Sequence, residues 1–335
     1  MNSRERFLAV LNLEMPDRVP FADWIDTGME RALAKALGKE TMNQAELAKA
    51  LGMDAIIFQG MYDVAPVCDV TKTDDTGRIH YLGHGLIKTK EDLKLMVFPD
   101  PKDESLYDAA KRFVDRYGKE DLALCCGIRP GIQPTYLSLG WMRFSESVIK
   151  QDDMIEEIFV PYMEWNGALV ERLERIGFDC FILYEDIAHG TGPMFSPKVY
   201  RERFLPKFKH LADIIKIPWI YHSDGNLTAL LDDLLSLNMN GLNPIEPGAM
   251  DINAVKRKYG DRVALWGNID MVHTLYDAAL EEVDAEVKER IKEIGAGGGY
   301  ICGSANSIAD YLKVENVLQM AKAVRKYGKY PLNLD

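Results

Sequence analysis

Residues 218–226 read Pro218-Trp219-Ile220-Tyr221-His222-Ser223-Asp224-Gly225-Asn226. The apolar run is too short for a helix and is bounded by Pro on one side and Gly on the other. It reads as a buried strand whose far end turns polar at once. Seven more runs share this form: Val19–Trp24, Asp54–Gln59, Leu122–Cys126, Phe181–Tyr184, Gly241–Glu246, Val263–Gly267 and Gly299–Cys302. Helical patterns lie between them. Met29–Leu37 and Ala45–Leu51 precede the second run, and Ser105–Tyr117 the third. Met154–Ile176, Tyr200–Ile215, Leu227–Leu237, Ile252–Tyr259 and Leu280–Ile294 lead into the later ones, and Val314–Tyr327 follows the last. Alternating strand and helix implies parallel strands with helical crossovers. Eight such units point to an α/β fold of the (β/α)8 TIM barrel type, with an open doubly wound sheet as the runner-up.

Two regions break the rhythm. Residues 60–104 contain the Gly-punctuated stretch Arg78–Ile87, which reads as an inserted hairpin. Residues 127–153 read as a long connection carrying Pro130, Gly131 and Pro134. Long loops on a barrel shape the mouth of the active site. With no repeat, low-complexity tract or linker, residues 1–335 read as one domain.

Composition limits the function. The chain has 335 residues, 47% hydrophobic and 27% charged, which excludes disorder, collagen and coiled coil as the main reading. Forty Lys and Arg against 52 Asp and Glu give a net charge of −12, a poor balance for nucleic acid or an anionic membrane. Five cysteines without a C-x-x-C pair fit a reducing cytoplasm. Met1–Pro16 reads as an amphipathic helix with no cleavage site, and no apolar run is long enough to span a membrane.

Barrel enzymes carry their chemistry at the C-terminal ends of strands. The residues there are Asp23 and Trp24, Gln59, Arg129, Glu185 and Asp186, His222 to Asn226, Glu246, Asn268 and Asp270, then Cys302, Ser304 and Asn306. His222, Asp224 and Glu246 could bind a metal, zinc being suited to imidazole nitrogen and carboxylate oxygen. The alternative is a metal-free His–carboxylate pair that orients a substrate. Glu185 is a candidate general acid or base, or one of a pair in which one residue caps a helix and the other is solvated. Arg129 could hold a carboxylate or phosphate, or lie at the surface. Trp24, Gln59, Tyr184, Asn268 and Asn306 complete the expected substrate-binding set. Gly295–Gly299 precedes a strand and lacks the spacing of a nucleotide loop. Ser223 and Ser304 lack a G-x-S-x-G context.

Three stretches carry a resemblance. They are Arg4–Leu11 with Pro16-Asp17-Arg18-Val19-Pro20, Tyr259–Asp270, and Gly298-Gly299-Tyr300 through Glu315-Asn316-Val317. Together they resemble the uroporphyrinogen decarboxylase superfamily over nearly the whole chain, which implies a (β/α)8 barrel. The decarboxylases carry an Arg-rich stretch after the first strand and an Asp after the second. Here those places read Trp24-Ile25-Asp26-Thr27-Gly28 and Phe58-Gln59-Gly60-Met61. The other branch, the corrinoid-dependent methyltransferases, includes enzymes that hold zinc through H-x-C, a Glu and a C-terminal Cys. His222 and Glu246 match, while Asp224 and Asn306 stand where the cysteines would be, and Cys302 lies four residues earlier. The His222–Asn226 form looks more like the methyltransferases of anaerobic O-demethylase systems. The resemblance thus implies transfer of a methyl group from a small donor, an aryl methyl ether first, to the cobalamin of a partner corrinoid protein. Loops 60–104 and 127–153 would form its docking surface, and a homodimer rests on the resemblance alone. The alternatives are a decarboxylase, a methylcobamide:thiol methyltransferase and a non-catalytic small-molecule-binding barrel.

Overall fold

Seven parallel strands form one curved sheet in chain order. They are β1 (Ala55–Phe58), β2 (Ala123–Ile128), β3 (Cys180–Tyr184), β4 (Trp219–His222), β5 (Gly241–Asn243), β6 (Ala264–Ile269) and β7 (Tyr300–Ser304). The computed structural model describes residues 1–61, 63–75 and 79–334. The run at 19–24 closes the ring. Phe21 bridges in parallel to Cys302 of β7, and the Asp54 N–H, just before β1, donates to the Phe21 carbonyl at 2.7 Å. The run makes only an isolated bridge because Pro20 has no N–H and the Phe21 N–H is taken by the Asp54 carboxylate at 2.8 Å. The expected eight-unit barrel is therefore the architecture found.

Strand alternation sorts the core into two parts. Ile57, Cys180, Ile182, Tyr184, Ile220 and Trp266 belong to the cluster inside the barrel. Phe181, Leu183 and Tyr221 pack outward in the larger cluster shared with the helices. Helix Ser3–Leu11 plugs the N-terminal end of the barrel with Phe7, Val10 and Leu11. The Phe7 ring meets Trp266 edge-on at 6.2 Å. Asp54 is fully buried beside this plug and accepts from Arg6 Nη1 at 2.7 Å and Arg18 Nη2 at 2.8 Å. The Arg4–Leu11 and Pro16–Pro20 stretches thus serve the closed end of the barrel, away from the mouth.

The helices Met154–Ile176, Ile252–Tyr259, Leu280–Ile294 and Val314–Tyr327 form over the expected spans. Others differ. Only Leu231–Leu235 is helical in the sixth unit, because residues 227–230 form a turn. The segment from Tyr200 starts as a π-helix to Phe204 and becomes α-helical at Leu205–Ile214. Residues 127–153 hold two helices, Ile132–Leu139 and Trp141–Lys150, broken at Gly140 with φ +78°. Pro134 was expected in a long connection, but it sits in a first helical turn, where a missing N–H costs nothing. The insertion pairs Thr71–Thr73 with Ile79–Tyr81. The hairpin therefore forms with an arm upstream of Arg78–Ile87, and Arg78 itself lies outside the described residues. No helix among the described residues is long and apolar enough to cross a membrane.

Candidate active site

The mouth is built by continuing the strand alternation past the strand ends. Tyr184 and Asp186 point into the barrel, as do Ile220, His222 and Asp224. Their neighbours Glu185 and Ser223 point outward. A cavity of about 520 Å³ opens there, within the usual range for small-molecule sites. Trp24, Gln59, Arg129, Tyr136, Trp141, Tyr184, Asp186, His222, Asp224 and Asn306 are among its walls.

His222 Nε2 lies 3.6 Å from Asp186 Oδ1 and 3.8 Å from Asp224 Oδ1. One ligand atom from each of these residues falls within 4.8 Å of the others. Asn243 fixes the imidazole. Its Nδ2 donates to the Trp266 carbonyl at 3.0 Å, which turns its Oδ1 toward His222 Nδ1 at 2.5 Å. The Nδ1 nitrogen then carries a hydrogen toward Asn243 Oδ1, and Nε2 is turned to the two carboxylates. Gln133 Nε2 donates to Asp186 Oδ2 at 2.7 Å, and Asn306 Nδ2 to Asp224 Oδ2 at 2.6 Å. The remaining oxygen, Asp224 Oδ1, is buried without a hydrogen-bond partner. Burial pushes the Asp224 carboxyl up to about 6. His222 draws it down, Asp186 and Glu246 push it further up, and the Asn306 hydrogen bond draws it down.

Aromatic rings line the rest of the cavity. Trp24 and Tyr184 lie 5.7 Å apart, Tyr184 and His222 4.8 Å, and Tyr136 stacks on Trp141 at 4.3 Å. Gln59 Nε2 donates to the Tyr184 hydroxyl at 2.8 Å. Arg129 is buried in the wall. Its guanidinium covers the Tyr81 ring at 4.7 Å and lies 3.3 Å from Asp63 Oδ1.

Seven of the expected residues thus meet at the cavity: Trp24, Gln59, Arg129, Tyr184, His222, Asp224 and Asn306. Three stand elsewhere. Glu185 faces away from the mouth and is fully buried. It accepts from the backbone N–H groups of Gly131, Ile132 and Gln133 at 2.5, 3.0 and 2.7 Å. Burial lifts its carboxyl to about 8 against those three donors. It anchors the start of helix Ile132–Leu139. Glu246 is absent from the His222 cluster, and its Oε2 accepts from the Gly225 N–H at 2.7 Å. Gly225 is required at that turn, where φ is +82° and a Cβ would meet the Ala188 carbonyl carbon at 2.5 Å. Asn268 is buried beneath the mouth and donates to the Ile245 carbonyl. Cys302 is buried as well, with its thiol pushed up to about 12 by burial.

Sequence reasoning named Asp186 only as a strand-end acid beside Glu185, not with His222 and Asp224, and it missed Asn243. Asp186 takes the place expected for Glu246, and period-two counting from Tyr184 would have found it. Asn243 orients the imidazole, and its register opposite His222 on the neighbouring strand was the available signal.

The uroporphyrinogen decarboxylase family profile matches residues 2–327. The methylcobamide:CoM methyltransferase of Methanosarcina barkeri is 23% identical over 184 residues, 55% of this chain and 52% of that protein. A uroporphyrinogen decarboxylase of Coxiella burnetii is 24% identical over 186 residues, 53% of this chain and 49% of that protein. The matched part thus spans about half the length of these curated relatives. A solved methyltransferase from Methanosarcina mazei superposes with a TM-score of 0.75 at 20% identity, covering 98% of this chain and 99% of that one, and so shares the fold. With the profile running almost end to end, the chain belongs to the uroporphyrinogen decarboxylase family.

Proposed function

We propose that this barrel moves a methyl group from a small donor, an aryl methyl ether first, to the Co(I) of a separate corrinoid protein. The observation that carries the reading is His222, held by Asn243 so that its Nε2 faces Asp186 and Asp224 at one end of an aromatic-walled cavity. The similarity to the Methanosarcina barkeri methyltransferase supports the same branch.

One imidazole nitrogen and two carboxylate oxygens suit zinc. The orphaned Asp224 Oδ1 is the lone pair that such a cation would satisfy. Asp186, His222 and Asp224 would hold it, and when bound it supplies a Lewis acid for the oxygen that leaves. The cavity residues position the donor. Trp24, Tyr184, Tyr136 and Trp141 offer flat apolar faces to an aryl ring, so that its methoxy group reaches the His222 end. The methyl carbon–oxygen bond breaks there, and the methyl group passes to cobalt with the electron pair of Co(I). The aryloxide keeps its bonding pair, and the cation that Asp186, His222 and Asp224 would hold would balance its charge. A decarboxylase acting on a polyanion is a poorer fit, because Asp63, Asp186 and Asp224 share the cavity wall with Arg129.

The test is methyl transfer to reduced corrinoid from guaiacol-like ethers, methylamines and thiols, read by cobalt absorbance. Ethers are expected to methylate the cobalt, and His222→Ala to abolish transfer while circular dichroism stays unchanged. Full activity in that variant would remove the site. Carbon dioxide release from a small acid without corrinoid would instead make the barrel a decarboxylase. Binding without turnover would make it a binding protein.

A further inference from the structure

A second chamber of about 340 Å³ opens beside the active-site cavity. It lies between the segment after the first run, the start of helix Gln44–Leu51 and the end of β1. Trp24, Gln59 and Ser307 line both spaces, so the two meet at that wall. None of the reaction steps above uses this chamber.

Its chemistry is one-sided. Phe58 and Phe113, with rings 5.1 Å apart, and Trp24 supply aromatic surface. Asp26 and Glu30 supply carboxylates, and no Lys, Arg or His is among the described lining residues. The two acids are not equivalent. Asp26 is committed as a helix cap, with Oδ1 accepting from the Met29 N–H at 2.8 Å and Oδ2 from the Asp310 N–H at 3.3 Å. Glu30 is the available anion. Burial pushes its carboxyl up, and Asp26 pushes it further. The Gln44 hydrogen bond and the charge of Arg31 draw it back more weakly. A carboxylate set among aromatic faces forms an environment for an organic ammonium group.

We infer that the side chamber is a binding subsite for a positively charged ammonium arm of the substrate. The arm rests on Glu30 between Trp24, Phe58 and Phe113, while the methyl group that reacts stays in the main cavity by His222. This rests on the methyl-transfer reading for what occupies the main cavity, but the chamber's preference for a cation is measured by binding alone.

The experiment is equilibrium binding to the full chain, by calorimetry or tryptophan fluorescence, with three probes of similar size. They are 4-methoxyphenethylamine, 3-(4-methoxyphenyl)propionate and 4-propylanisole. The ammonium probe is expected to bind at least about tenfold more tightly than the other two, a difference that added salt reduces. Glu30→Gln should erase that advantage and leave the neutral probe's affinity in place. Equal affinities in the unaltered protein would overturn the inference without any variant. So would equal losses for all three probes in Glu30→Gln, which would mark a structural role. If the ammonium probe binds as expected but passes no methyl group to Co(I), the subsite stands and the proposed reaction falls. If neutral ethers react without ammonium preference, the reaction stands and the subsite falls.

Discussion

At the scale of single residues, Glu185 and Asp186 show what adjacent positions can do. One carboxylate anchors a helix start outside the sheet, and the other faces the cavity one residue later. The sequence displayed both acids, and only strand parity separates their roles. The same parity places His222 and Asp224 together, and that pairing was legible from their spacing. Glu246 was not, because its commitment to the Gly225 N–H depends on a turn that no local pattern announces. Asp186→Asn is therefore expected to cut zinc affinity sharply, whereas Glu246→Gln should keep the zinc-dependent rise in melting temperature. Thermal scans with zinc and with chelator read both. Asp23 gives a pH test. It is buried, accepts from the Ser304 N–H and Oγ–H at 2.7 Å each, and burial pushes its carboxyl up to about 7. The ordinary carboxylate value is about 4, so between about 4 and 7 the folded state binds more protons than the unfolded one. Asp23 thus contributes stability that is fully present below about 4 and is lost as pH rises through 7. Asp23→Asn should flatten that part of the stability profile, and denaturant titrations across pH would show a slope unchanged by the variant if this is wrong.

At the scale of elements, the helices with uninterrupted apolar periodicity formed where the pattern put them. The two helices within 127–153 did not show, because Gly131 and Pro134 look like loop residues until one is known to be the N-cap and the other to sit in the first turn. The hairpin was legible only in one arm, since Thr71–Thr73 is fully exposed and carries no apolar alternation to reveal it. The N-terminal helix was legible as an amphipathic segment, but not as a plug. Its attachment depends on Asp54, which holds Arg6, Arg18 and the Phe21 N–H at once. Asp54→Ala leaves Arg6 with Asp17 and Arg18 with the Val19 and Gly52 carbonyls, but removes the buried carboxylate that both cations and the Phe21 N–H share. It should cost on the order of 3–5 kcal/mol in urea unfolding, and a loss under about 1 kcal/mol would mean the network is solvated.

At the scale of the whole molecule, eight strand–helix units pointed to a barrel ahead of an open doubly wound sheet, both of which bury parallel strands on both faces. What alternation could not reveal is where the ring is fastened. The seam lies between Phe21 and Cys302, and the Asp23–Ser304 contact beside it joins positions 281 residues apart. During synthesis every other strand can find its neighbour as soon as that neighbour leaves the ribosome. The segment at 19–24 meets Asp54 early but must wait for almost the entire chain to meet β7. A nascent chain stopped before Tyr300 would display two raw sheet margins, each a template for another molecule. Release of such a chain should yield aggregate, whereas release after β7 should yield a protease-resistant product, so the last strand acts as the latch that ends a period of vulnerability.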